Sequence, residues 1–280
     1  FFKAHRKRPF FLFLHYNGPH APYLAPKRYR MRGALGPHGQ RDTTWEHYLG
    51  EARWTDEHLA PVFAALKKHG LDKNTLVVVT ADHGEVFHPA HDLIYGKNNR
   101  TLHKHGWSAY EEVTHVPLIL SLPGVLPAKR RITHPVSHLD LVPTLLDLAG
   151  LPPMADYPGR SLTPTIRHGR APQRKRIISV ARHVSALREG RWKLIYRDYL
   201  ARSYRRPKTP EKRYYRKFEL YDLEIDPKET RNLEKQHPER VARMKDYLLS
   251  QTLPSGGKNT TAAEADLFAT EGLRLSLRLW

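Results

Sequence analysis

The chain contains no cysteine. Disulfide bonds, thiolate zinc sites and a cysteine nucleophile are therefore excluded within these residues. No stretch approaches the roughly 18 consecutive apolar residues that a membrane-spanning helix needs, so no membrane span is expected. No internal repeat is present. Acidic residues are scarce, 28 against 47 lysines and arginines, giving a formal net charge of +19. The excess sits in Arg6 to Arg8, Arg170 to Arg176 and Arg202 to Lys217, the last interleaved with Tyr204, Tyr214 and Tyr215. The tract reads as a solvated basic loop, with no specific nucleic-acid partner. A surface for a polyanion is the alternative, and it would differ in the salt dependence of binding. The opening FFKAHRKRPFFLFLHY is a basic tract followed by a strand-like run rather than a signal peptide. Phe1 is no natural start, so further residues upstream are expected.

What is present centres on Asn74 to Glu85, NTLVVVTADHGE. The short apolar run Leu76 to Val79, bounded by polar residues, predicts a strand buried on both faces of a parallel sheet. Asp82, His83 and Gly84 follow directly, at the carboxyl end of that strand, where open α/β sheets place ligands. A hard carboxylate oxygen beside an imidazole nitrogen suits a divalent cation. The glycine permits a sharp turn or a close backbone approach. Alone, the triplet also reads as a strand-end turn with a capping aspartate.

Upstream, Phe10 to Leu14 predicts another buried strand. It runs into HYNGPHAPY, where prolines and a glycine end the strand in an extended loop. His20 lies between two of those prolines. Its imidazole could donate to an anion or protonate a leaving group, or it could be a loop histidine without a role. Residues 25–40 read as a surface loop. Helical spacing of Tyr48, Leu49, Ala52, Leu59, Val62, Phe63 and Leu66 predicts a helix from about Thr44 to His69. Asp56 interrupts the stripe, either as a buried, paired carboxylate or at the stripe's edge. Gly70 supplies a C-cap. Strand, loop, helix, strand is the order of a βαβ unit.

A polar loop to about Trp107 carries His88, His91, His103, Lys104 and His105. Their spacing matches no standard zinc pattern. Lys104 and His105 are the candidates for folding back over the Asp82 strand end to bind an anion. Val116 to Ser121 predicts a third strand, and His138 to Leu148 a helix with Asp140 in its first turn. From about Arg174 short strand patterns recur at Ile177 to Ala181, Ser185 to Arg188, Trp192 to Arg197 and Phe218 to Asp222. They predict a small antiparallel sheet. A closing helix, His237 to Leu249, follows.

Taken in order, several segments resemble the sulfatase family of the alkaline phosphatase superfamily. They are His15-Tyr16-x-x-Pro19-His20-x-Pro22-Tyr23, Thr80-x-Asp82-His83-Gly84-Glu85, His105-Gly106-x-x-x-Tyr110-Glu111-Glu112 and Val116-Pro117-Leu118-Ile119. The run Asp140 to Gly150, Gly159-Arg160-Ser161-Leu162, Gly190 to Ile195, Glu219 to Leu223 and Asp226 to Leu233 extend the likeness. It spans roughly residues 9 to 250. The resemblance implies an α/β fold with a mostly parallel sheet flanked by helices, alkaline phosphatase-like and incomplete, plus a small C-terminal antiparallel α+β subdomain. The corresponding division is 1–172 for the α/β part, 173–250 for the subdomain and 251–280 for a tail.

The resemblance also implies roles. Asp82 and His83 would ligate calcium or a related divalent ion, and His20 would contact sulfate. Lys104 and His105 compete for a second sulfate contact, with His105 preferred because its His-Gly context matches the Asp-His-Gly branch. The substrate would be a sulfated small molecule or glycan, and the compartment periplasmic or extracellular. The chain departs from the family at the nucleophile. Sulfatases use a formylglycine made within Cys/Ser-x-Pro-x-Arg, yet here Ser121-Leu122-Pro123-Gly124-Val125 lacks the arginine and lies beyond the metal strand. The family's N-terminal Asp-Asp metal pair is missing too. The expectation is the C-terminal portion of a longer sulfatase whose upstream part carries the formylglycine. The alternatives are a phosphodiesterase or phosphonate hydrolase of the same superfamily, or a non-catalytic anion-binding fragment.

Overall fold

In the computed structural model of the chain, the described residues are 1–37, 39–92, 94–95, 99–181, 184–197 and 218–252. The chain divides into two compact units. Unit one is Phe1–Thr80, Phe87–Pro89 and Pro117–Ala128; unit two is Ala81–Val86, Ala90–Val116 and Lys129–Trp280.

Unit one is built on a long helix. After a single N-terminal turn, α1 (Phe2–His5), comes α2 (Thr43–Lys68). Asp42 caps α2, accepting from the backbone of Thr44 at 2.8 Å and Trp45 at 3.2 Å. Such a cap satisfies donors that the first turn leaves without intrahelical partners. Gly70 ends the helical segment at φ +66°, a conformation that favours glycine. On the buried side Gly50 lets the backbone of Tyr29 and Arg30 approach, since a Cβ there would lie 3.0 Å from the Tyr29 carbonyl oxygen. Trp45 and Tyr48 pack on Phe87 with ring centroids 4.8 Å away. Asp56, one of the two readings of which was a buried carboxylate, is exposed.

The strand β1 (Val77–Thr80) forms where expected, but its partner differs. It pairs antiparallel with β4 (Leu118–Ser121), Val77 opposite Ser121 and Thr80 opposite Leu118. Every sheet among the described residues is antiparallel. The mostly parallel sheet inferred from the βαβ order is therefore not what they form. The order needed Phe10 to Leu14 as its first strand. That stretch makes no ladder here, and Phe11 and Phe13 are 64% and 57% exposed. β1 is half-buried rather than enclosed on both faces. Among its described residues, the chain between β1 and β4 holds one short α-helical turn, so it brings β4 back antiparallel instead of crossing over.

Unit two contains a short antiparallel pair, β2 (Ile94–Tyr95) with β3 (Asn99–Arg100), and one helical turn, α3 (Glu111–Thr114). A 3₁₀ turn at His138–Asp140 leads into α4 (Leu141–Leu148), and α5 (Thr163–His168) follows. The predicted C-terminal sheet is present as β5 (Arg176–Ala181), β6 (Val184–Glu189), β7 (Trp192–Arg197) and β8 (Phe218–Asp222), paired antiparallel in sequence order. Gly190 makes the β6–β7 turn at φ +61°.

The sheet's two faces follow from side-chain alternation along each strand. Leu187, Leu194 and Leu220 point to one face and pack with Leu233 and with Val241, Met244 and Leu248 of α6 (Pro238–Thr252). Val184, Ala186, Ile195 and Tyr221 pack with Ala109 and Tyr110 on the other. That second face also carries buried charge. Lys193 Nζ meets Glu111 Oε1 at 2.9 Å and Glu229 Oε1 at 3.0 Å. Glu219 accepts from the Tyr110 hydroxyl at 2.7 Å and the Tyr221 hydroxyl at 2.8 Å, with Arg197 at 2.9 Å. These pairs anchor residues 109–112 on the sheet. The basic tract 202–217 and the tail from 253 onward lie outside the described residues.

Candidate active site

In unit two, residues 84–86 thread between two backbone rails. Gly84 N–H donates to Val113 O at 2.8 Å and Glu85 N–H to Glu112 O at 3.1 Å. On the other side Val86 N–H donates to Lys104 O at 3.2 Å, and Val86 O accepts from His103 N–H at 2.7 Å. The threading is tight: a Cβ on residue 84 would sit 2.1 Å from the Glu112 carbonyl oxygen, so only glycine fits. Because residues 110–112 are fixed to the β5–β8 sheet, the sheet also holds the backbone of Gly84 and Glu85, which directly follow Asp82 and His83.

His83 and His105 are brought together, their rings stacked at 3.8 Å with planes 27° apart. The Nδ1–H of His83 donates to the Gly84 carbonyl at 2.8 Å, which in the neutral ring assigns the lone pair to Nε2. Nε2 stands 3.7 Å from Asp82 Oδ2. The other Asp82 oxygen, Oδ1, accepts the backbone N–H of His83 at 2.9 Å. An anionic oxygen and a nitrogen lone pair at that separation are a donor set compatible with one divalent cation. Among the described residues no group of three or more His, Asp or Glu forms a complete metal cage.

His105 Nδ1 lies 3.3 Å from both oxygens of Glu85, which is buried. The hydrogen bond to Glu85 raises the His105 pKa above its ordinary value; burial opposes this, and the charges of Glu85 and Asp82 add to it. Burial lowers the pKa of His138, with the Asp82 charge working in the opposite direction. Lys104, the competitor of His105, has an exposed side chain. Neither Glu85 nor His138 stands out as a site residue in the sequence. Glu85 sits inside the motif without a spacing of its own, and His138 reads as the start of a helix.

His20 belongs to unit one. There it lines an open cleft of about 570 Å³ with Tyr16, Asn17, Glu51, Trp54, Thr55 and His58. Its Nδ1–H donates to the Ala21 carbonyl at 2.6 Å, so the neutral ring carries its lone pair on Nε2. Its backbone N–H donates to Glu51 at 2.9 Å.

The family model described as Sulfatase matches residues 1–151. The chain belongs to the sulfatase family. The model described as N-sulphoglucosamine sulphohydrolase, C-terminal, matches residues 104–252. Among curated sulfatases, the Delta 4,5-hexuronate-2-O-sulfatase of Bacteroides thetaiotaomicron is 32% identical over 205 residues, covering 69% of this chain and 38% of its own length. A solved structure in complex with its substrate, D-glucosamine-2-N,6-O-disulfate, matches with TM-score 0.56 and 22% identity, over 75% of this chain and 42% of that one. The phosphonate monoester hydrolase of Silicibacter pomeroyi matches with TM-score 0.64 and 23% identity, over 90% and 57%. The structural likenesses place the chain in the alkaline phosphatase-like α/β class of fold. This sulfatase chain spans about two fifths of the length of the curated relative. No helix among its described residues is long and apolar enough to cross a membrane.

Proposed function

We propose that the whole protein carrying this chain hydrolyses sulfate esters of sugars, in the periplasm or outside the cell. The observation that carries the reading is the stacked His83–His105 pair beside Asp82. Family membership and the sulfated sugars named for the relatives support it. Asp82 Oδ2 and His83 Nε2 are assigned to a divalent cation, calcium by family resemblance. Such an ion, when bound, would neutralise negative charge on the ester oxygens. His105, whose Nδ1 is paired with Glu85, is assigned a hydrogen bond from its ring to a sulfate oxygen. His20 is assigned to a second sulfate contact or to protonation of the departing alcohol. Lys104 is the alternative to His105. The nucleophile, a formylglycine in this family, is assigned to a part of the whole protein outside these 280 residues. The proposed division keeps 1–172 as the α/β part, 173–250 as the subdomain and 251–280 as a tail.

The test compares an aryl sulfate, a sulfated monosaccharide and a phosphonate monoester with the whole protein. Sulfate esters are expected to turn over fastest, and removal of divalent ions by chelation should abolish turnover. His20→Ala is expected to cost about 100-fold or more with the circular dichroism unchanged. The isolated 280-residue chain is expected to show no turnover above background. Preference for the phosphonate monoester would shift the assignment to the phosphonate hydrolase branch, whose fold the chain shares.

A further inference from the structure

We propose that Glu51 of α2 is the positioning residue for His20, through a carboxylate bracket on the backbone of the loop. This rests on the reading of His20 as a sulfate-contacting group. Glu51 is buried, 6% exposed, and its two oxygens divide between two amides. Oε2 accepts the His20 N–H at 2.9 Å, and Oε1 accepts the Leu24 N–H at 2.5 Å. The turn between them closes on itself, Tyr23 N–H donating to His20 O at 3.0 Å. One helical turn further along α2, the Thr55 hydroxyl donates to Gly18 O at 3.1 Å. The helix thus grips the loop at residues 18, 20 and 24. A Cβ on Gly18 would lie 2.9 Å from Thr55 Oγ1, so the loop sits as close to the helix as a glycine allows.

The bracket requires a carboxylate. Glutamine has the same length but one acceptor; its amide nitrogen would face a backbone N–H and leave that donor unsatisfied. Both Glu51 oxygens are taken up by the backbone, so Glu51 acts on a substrate only through where it puts the His20 ring. His20 and Glu51 line the same cleft, with Trp54 between Glu51 and Thr55 on the helix.

In the whole protein, Glu51→Gln is expected to lower kcat on an aryl sulfate by about 10- to 100-fold, the scale for a catalytic group displaced by about an ångström. KM should move less than about threefold if the loss lies in the transition state. In a His20→Ala background the same substitution should cost less than about twofold, because a residue acting only through another is not additive with it. Equal losses in both backgrounds would overturn the proposal. If Glu51→Gln fails to fold, amide exchange in the unaltered protein decides: the His20 and Leu24 amides should be protected by about 100-fold or more. Exchange of either at the unprotected rate would also overturn it. Protection without turnover of any sulfate ester would sink the hydrolase reading, whereas turnover indifferent to Glu51 would sink the positioning role alone.

Discussion

His83 and His105 stack face to face at 3.8 Å, while the Lys104 side chain, one residue earlier, is exposed. The sequence left these two cations as rivals for one sulfate contact. Geometry favours the ring that shares a hydrogen bond with Glu85 and a face with His83, the proposed cation ligand. In the whole protein His105→Ala is expected to lower kcat/KM for an aryl sulfate by about 100-fold, and Lys104→Ala by less than about threefold. The reverse ranking in steady-state kinetics would hand the role to Lys104.

Lys193 sits between two carboxylates with its side chain 2% exposed. Burial pushes Glu229 up, and Lys193 partly offsets this. Burial also works against the Glu111 charge, yet Lys193, Arg188 and His115 together hold its pKa below the ordinary value. Lys193→Met would leave both acids facing each other without the ammonium. It is expected to cost about 3–5 kcal/mol, the range for removing one partner of a buried pair. Urea unfolding should detect this, and adding Glu229→Gln should recover part of the loss. A shift of less than about 1 kcal/mol would mean that water reaches this layer.

Arg191 makes a pair of hydrogen bonds to Asp222, and these hold the Asp222 carboxyl below its ordinary pKa despite burial. A depressed carboxylate stabilises the folded state above its unfolded pKa, near about 3.9, and that contribution fades as pH falls through the lower folded value. Arg191→Ala is therefore expected to lower the Tm at pH 7, by about 2–4 °C. The gap between variant and parent should close on acidification below about pH 4. A gap that persists in scanning calorimetry at the acid end would assign the effect to packing of the Arg191 stem.

Sequence periodicity was enough to find α2, β1 and all four strands of the C-terminal sheet, because each carries its pattern within one element. The pairing of β1 was not legible. Its partner lies about forty residues on, and strand direction depends on a connection that has no periodic signature. Phe10 to Leu14 has the composition of a buried strand, but a strand exists only when a neighbour takes its hydrogen bonds. On α2 the apolar stripe drew attention to Asp56, which is exposed, and passed over Glu51, which is buried. Helical spacing places both near the stripe; only the loop that lies across the helix distinguishes them. The placing of Asp82 and His83 side by side after β1 was legible because strand end, acid, imidazole and glycine adjoin in sequence. Glu85 and His138 were not, since their closeness to that pair arises from the fold.

Gly84 carries a consequence for how such a site can diversify. A single methyl group at that position would collide with the Glu112 carbonyl, so a saturation library at this codon should return glycine in nearly every working clone. The peptide path behind the acid–imidazole pair is thereby a fixed template. Substrate preference would have to drift through side chains along the rim, never through the course of the chain beneath them.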